Sequence, residues 1–195
     1  MKVWFIGAHF DDIEIGCGGT AAKLISQGND CHVTIVTHSG YSDEYGNVIR
    51  ESTIARKEGL KGLTELGFKS ISELNLETGK LEHGHSLIYE LEKLSKEIMP
   101  DLVFTHWDKD VHQDHAAVAK STFTVCRKTG SILMYRPNWY RTSINFMRIF
   151  SWMFLIIMKL KLKQLIAMFQ RLLSLVRTGL HSLKRKIRLE GWRLM

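Results

Sequence analysis

The feature that most constrains this 195-residue chain is an alternation running from Lys2 to Tyr135. Short apolar, β-branched runs recur between stretches with helical spacing. KVWFIGA at 2–8 reads as a buried strand, Cys31–His38 as a second, Ser70–Leu76 as a third, Asp101–Trp107 as a fourth and Ser131–Tyr135 as a fifth. Between them the spacing predicts helices over Ile13–Gly28, Arg50–Leu66 with Gly67 as cap, His85–Ile98 stopping before Pro100, and Asp114–Lys128. Ser39–Val48, polar with two glycines, reads as a loop. Strands alternating with helices build an α/β fold, a Rossmann-like, mainly parallel sheet flanked by helices.

The charge is uneven, and this excludes one class of function. The net charge is +7, but residues 146–195 hold eleven Lys/Arg against one acid, while residues 1–145 hold 16 against 19. The body is mildly acidic, so no nucleic-acid partner is expected from the basic balance. Cys17, Cys31 and Cys126 are an odd number without a C-x-x-C pair, which disfavours a disulfide framework and a cysteine zinc site and fits a reducing compartment. The first residues lack a signal-peptide pattern. The longest apolar run, Phe150–Met158 interrupted by Ser151, falls far short of the ~18–20 residues that span a bilayer. A cytoplasmic protein is expected.

Parallel sheets bind ligands beyond the carboxyl ends of their strands. Two clusters of unusual residues fall at such ends. AHFDDIE at 8–14 follows the first strand and offers His9, Asp11, Asp12 and Glu14. WDKDVHQDH at 107–115 follows the fourth and offers Asp108, Asp110, His112, Asp114 and His115. Either cluster alone is well explained by helix capping and surface polarity, with Asp114 capping the helix it opens. Both together, each after a parallel strand, point to one site. Two histidines and an aspartate are an ordinary ligand set for catalytic zinc with open positions, and zinc lowers the pKa of a bound water toward ~7. A carboxylate outside the ligand set can take that proton. Ligand chemistry alone admits other divalent ions, Fe2+ among them. Gly16, Gly18 and Gly19 lack the dinucleotide-binding spacing and follow two acids, so they read as letting the helix start approach the loop closely.

These residues resemble the PIG-L/LmbE-like zinc-dependent N-deacetylases. The first family motif, [AP]-H-P-D-D-x-E before a glycine-rich helix start, is matched by AHFDDIEIGCGGT at 8–20, and the second, H-x-D-H, by His112–His115. The resemblance extends over about residues 2–140. It implies an LmbE-like fold, His9, Asp12 and His115 as zinc ligands, and Asp11 as the general base. It implies that His112 stabilises the oxyanion or protonates the leaving amine, with Asp114 orienting His112 and raising its pKa. An arginine holding substrate is implied as well, Arg50 or alternatively Arg56. The activity implied is removal of an acetyl group from an N-acetylated sugar of the N-acetylglucosamine type, releasing acetate and a primary amine. One residue departs from the motif. Phe10 stands where the family has proline, exchanging a fixed φ for a bulky side chain that reshapes the pocket floor. Tyr41 and Tyr45 are expected to border the pocket, and Trp107 either stacks on a sugar or packs in the core. His38, His83, His85 and His106 read as loop or strand-end residues.

The last quarter departs altogether. Residues 1–145 form the deacetylase-like domain, whereas 146–195 are Met-, Leu- and Lys-rich with none of the family's closing pattern. Taking the last base of each codon with the first two of the next, and choosing synonyms, Met147 onward can encode ENFFVDVSDY and then EIKIKAIDCHVS, which restores that pattern. A one-nucleotide frameshift near residue 145 or 146 accounts for this, and resequencing the gene across codons 140–150 tests it. Two alternative functions follow: a catalytically impaired relic, or a membrane-surface protein in which Phe150–Leu175 lies on an anionic bilayer with Lys159, Lys161, Lys163 and Arg171 toward the headgroups. The sequence is silent on oligomeric state.

Overall fold

The computed structural model describes residues 1–138 and 140, all within the unit Met1–Arg148. The expectations for 146–195 therefore lie outside the described residues. The five expected strands all form: β1 (Lys2–Gly7), β2 (Asp30–Thr37), β5 (Ser70–Leu76), β6 (Leu102–His106) and β7 (Ser131–Tyr135). They make a parallel sheet in the order β5-β2-β1-β6-β7. The fold is thus the expected Rossmann-like α/β sheet, with β1 at its centre and the order reversing there.

β1 is buried on both faces, which is why it reads as a continuous apolar run. Its alternate side chains feed two cores. Val3 and Phe5 pack with Ile13, Ala21, Leu63 and Phe104 on one side, while Trp4 and Ile6 pack with Leu87, Leu91, Val103 and Val118 on the other. Phe5 stacks on Phe104 at 4.6 Å and meets Phe68 edge-on at 5.3 Å. The polar atom that Trp4 carries into the interior is satisfied, since its indole N–H donates to Thr34 Oγ at 2.8 Å. Helices α4 (His85–Ile98) and α5 (Gln113–Val125) cover the Trp4 face, and α1 (Asp12–Gly16), α2 (Gly18–Ser26) and α3 (Ser52–Leu66) the other.

Several boundaries differ from the sequence reading, among them the end of α5, expected at Lys128 and found at Val125. The helix expected over 13–28 is two helices broken at Cys17, where φ is −147°. Gly16 lies at this break, and its close approach is to the Tyr135 ring of β7 rather than to the loop before it. A Cβ there would lie 2.3 Å from Tyr135 Cδ2. The loop expected over 39–48 contains an antiparallel pair, β3 (Tyr41–Ser42) with β4 (Val48–Arg50), too short to carry a periodicity. Arg50 consequently ends a strand, and α3 starts at Ser52. The cap at Gly67 is as expected, with φ of 101° in the left-handed region. Trp107 is 5% exposed and belongs to the core, with the Arg136 guanidinium 5.3 Å over its ring. No helix among the described residues is long and apolar enough to cross a membrane.

Candidate metal centre and active site

Because the strand order reverses at β1, the loops leaving β1 and β6 diverge and open a crevice between them. The loop after β1 carries His9, Asp12 opens α1 directly behind it, and the first turn of α5 brings His115 from the other side. His9 Nδ1 and His115 Nε2 lie 3.3 Å apart. The Asp12 carboxylate completes the triangle, with one oxygen 3.4 Å from His9 Nδ1 and the other 3.3 Å from His115 Nε2. A tetrahedral ion with ligands at about 2.0–2.2 Å has ligand–ligand edges of about 3.3–3.6 Å. The three donors therefore fit such an ion in both chemistry and spacing.

Asp12 is the hub. It is almost fully buried, accepts the His9 backbone N–H at 2.7 Å, and faces His106 Nε2 at 3.2 Å. Burial alone would raise its pKa, but the histidines gathered around it hold it well below the usual carboxylate range. His106, read from sequence as a strand-end residue, is the floor of the site. It is completely buried and stacks on His115 with ring centroids 4.1 Å apart. Its Nε2 also groups with the Asp12 and His115 donors, but that nitrogen accepts the Ala8 N–H at 2.9 Å. Burial lowers its pKa to about 4 against the pull of Asp12, so it stays neutral.

The outer contacts depart from the role expected for Asp114. Its Oδ2 lies 2.9 Å from His9 Nε2, and backbone N–H groups of Gly79 and Leu81 donate to the carboxylate at 2.7 and 3.1 Å. It orients His9, not His112. The reason is local: His112 is the N-cap of α5, its Nδ1 accepting the Asp114 N–H at 3.2 Å, and this capping turn sends the Asp114 side chain elsewhere. His112 is held below its ordinary pKa by burial first and then by His115 and His9, which outweigh Asp114. Neutral, with Nδ1 accepting, it carries its proton on Nε2 and lines the cavity as a donor.

His9 and His115 behave oppositely. Burial lowers both, yet hydrogen bonds to Asp114 and Asp12 lift His9 to about 9, and those to Asp110 and Asp12 lift His115 to about 9. A metal binds only the unprotonated nitrogen. Zinc uptake by metal-free protein at pH 7 is thus expected to release about one to two protons per ion, and affinity is expected to rise with pH until about 9. Calorimetry in buffers of different ionisation enthalpy measures the count; a count of zero would contradict the pairing described.

A cavity of about 730 Å3 opens over these groups, lined by Asp11, His112, Arg50, Tyr41 and Asn138 among others. Asp11 precedes α1 but makes no capping bond, and its φ of 121° lies in the region L-residues rarely adopt. Burial, reinforced by the Asp12 charge, raises its carboxyl to about 6, against the pull of His9, Arg50 and His115. Of the two candidate arginines, Arg50 lines this cavity while Arg56 is ion-paired with Glu73 at 2.6 Å and does not. Arg50 Nη2 reaches Glu58 at 3.3 Å, and its buried Nε has no protein partner. Tyr45 does not border the cavity.

The departure at Phe10 has a structural counterpart. Its backbone N–H donates to Ser39 Oγ at 2.8 Å, a bond that proline is unable to make. Its ring is buried against α3, where a Cβ on Gly59 would lie 2.3 Å from Phe10 Cδ1. Gly59→Ala is therefore expected to cost about 1–3 kcal/mol through overpacking and to loosen the His9–Asp12 loop. Thermal unfolding checks the first and zinc titration the second. Phe10→Ala in the same chain is expected to relieve the clash.

Sheet order, crevice and donor triangle together define a Rossmann-like α/β protein whose candidate active site gathers side chains that could hold a metal ion. Residues 4–126 match the family described as PIG-L, GlcNAc-PI de-N-acetylase, and the chain belongs to that family. It is 34% identical over 136 residues to the uncharacterized deacetylase YaiS of Escherichia coli (strain K12), covering 67% of this chain and 70% of that protein. In three dimensions it is similar to N,N′-diacetylchitobiose deacetylase from Pyrococcus horikoshii, with 28% identity and a TM-score of 0.58 over 64% of this chain. The chain spans about half, 49%, of that enzyme. It also shares its fold with the conserved protein TT1542 from Thermus thermophilus, at 20% identity and a TM-score of 0.61, covering 73% of this chain and 69% of that one.

Proposed function

We propose that this protein is a metal-dependent N-deacetylase that removes the acetyl group from an N-acetylated sugar, a conjugate of the N-acetylglucosamine type, and that it acts in the cytoplasm. The observation that carries this reading is the His9–Asp12–His115 triangle, with edges of 3.3 to 3.4 Å, beneath a cavity that also holds Asp11 and His112. The deacetylase names of the similar proteins support the reaction, and three free, buried cysteines support the compartment.

Zinc, or ferrous iron, held by His9, Asp12 and His115 would acidify a water and polarise the acetamide carbonyl. Asp11, adjacent in sequence to a ligand yet outside the triangle, takes the water proton on its carboxylate and returns it to the leaving nitrogen. His112 donates its Nε2–H to the oxygen that gains negative charge. Arg50 donates to an oxygen of the sugar, which accounts for its unpartnered Nε. Asp114 fixes the His9 ring. The products are acetate and a primary amine.

The test is acetate release from N-acetylglucosamine, N,N′-diacetylchitobiose and N-acetylglucosaminyl lipid by zinc-loaded protein, with metal content measured on the same preparation. Zinc near one per chain together with acetate release is the expected result. Zinc bound with no acetate from any of the three would overturn the sugar assignment, and no zinc would overturn the metal reading.

A further inference from the structure

We propose that Asp110, clamped by Asn138, is a positioning residue that sets the orientation and ligand strength of His115. The inference rests on the metal-centre reading above and assigns a role to two residues that neither family motif contains. The His115 ring presents Nε2 to the donor triangle, leaving Nδ1 to be satisfied elsewhere. Asp110 Oδ2 lies 3.2 Å from that Nδ1. A carboxylate there holds the proton on Nδ1, keeps the Nε2 lone pair directed into the triangle, and makes the imidazole a stronger donor.

The carboxylate is itself held on every side. Its Oδ1 accepts the His112 N–H at 2.9 Å, and the Asn138 amide donates to Oδ1 and Oδ2 at 2.9 and 2.7 Å. Asn138 follows β7, so a third strand end is tied to the site. Asp114 does for His9 what Asp110 does for His115, and the two ligand histidines are each braced by a separate carboxylate. The plainer role for Asp110, stabilising the turn before α5, uses Oδ1 alone and leaves the contacts of Oδ2 without a purpose. Asp108, two residues earlier, pairs instead with Lys109 at 3.1 Å.

The two roles separate experimentally. Asp110→Asn retains an acceptor for the His112 N–H and so keeps the turn, but it presents an amide NH2 to His115 Nδ1–H and to Asn138. Zinc affinity, measured by competition with a chromophoric chelator, is expected to fall about 10- to 100-fold in Asp110→Asn. Asn138→Ala is expected to produce a smaller loss in the same direction, with Asp108→Asn unchanged. Replacing zinc by Co2+ adds a readout that turn stability does not move: the visible absorption bands are expected to shift in Asp110→Asn and not in Asp108→Asn. Wild-type affinity and spectrum in both Asp110→Asn and Asn138→Ala would overturn the proposal while leaving the metal centre standing. Absence of zinc binding by the wild type would overturn the metal centre and this inference with it.

Discussion

Asp12→Ala is expected to purify without metal and without activity. The loss in zinc affinity should exceed the about 100-fold that removal of an outer contact costs, because a ligand and the hub of the site go together. Three histidines face this one carboxylate, and His9 also hands it a backbone N–H. Removing one partner of a buried ionic group costs about 3–5 kcal/mol, so a lower unfolding temperature should accompany the loss. The imidazoles give a second check. With Asp12 gone, burial gains ground over the remaining carboxylates, and the pKa values of His9 and His115 should fall from about 9. NMR titration of the metal-free protein reads this directly. Unchanged values would mean that Asp12 is not their common partner.

Asp11→Asn is expected to do the opposite in one respect: zinc stays and catalysis goes. Loss of a general base costs about 10²–10⁴-fold, and the fall should appear in kcat with KM little altered. The pH profile carries the sign. A carboxyl raised to about 6 in the folded protein is fit to accept a proton only above that pH. In the wild type, kcat/KM should therefore decline as pH falls through about 6, or somewhat lower once a bound cation draws the pKa down. The variant should lack this limb. A variant that keeps wild-type kcat would place the base elsewhere in the cavity.

Much of the fold was legible in the sequence because its signals are local. The central strand β1 is a continuous apolar run, α4 has the expected limits, and Gly67 ends α3 in the conformation that glycine alone adopts cheaply. The break at Cys17 was not legible, and neither was the close approach beside it of the Tyr135 ring to Gly16, which comes from the far end of the described chain. Nor was β3–β4, whose strands of two and three residues have no period to read. The metal donors announced themselves by residue type after strand ends. The partners of those donors did not. Asp114 turned to His9 rather than His112, and His106, Tyr135 and Asn138 carry no motif at all.

By itself the sequence determined the alternation of strand and helix, and with it the two acid- and histidine-rich loops that end β1 and β6. Their residue types after two strand ends already pointed to one site, but the contacts that build it were decided only by the tertiary structure. A strand's apolar run says that it is buried, not which strand lies beside it. Placing β1 between β2 and β6 reverses the sheet order, opens the crevice, and brings His9 to 3.3 Å from His115, 106 residues along the chain. The proton positions were decided there as well, because they depend on which carboxylate faces which ring nitrogen, and that is a matter of packing rather than of spacing along the chain.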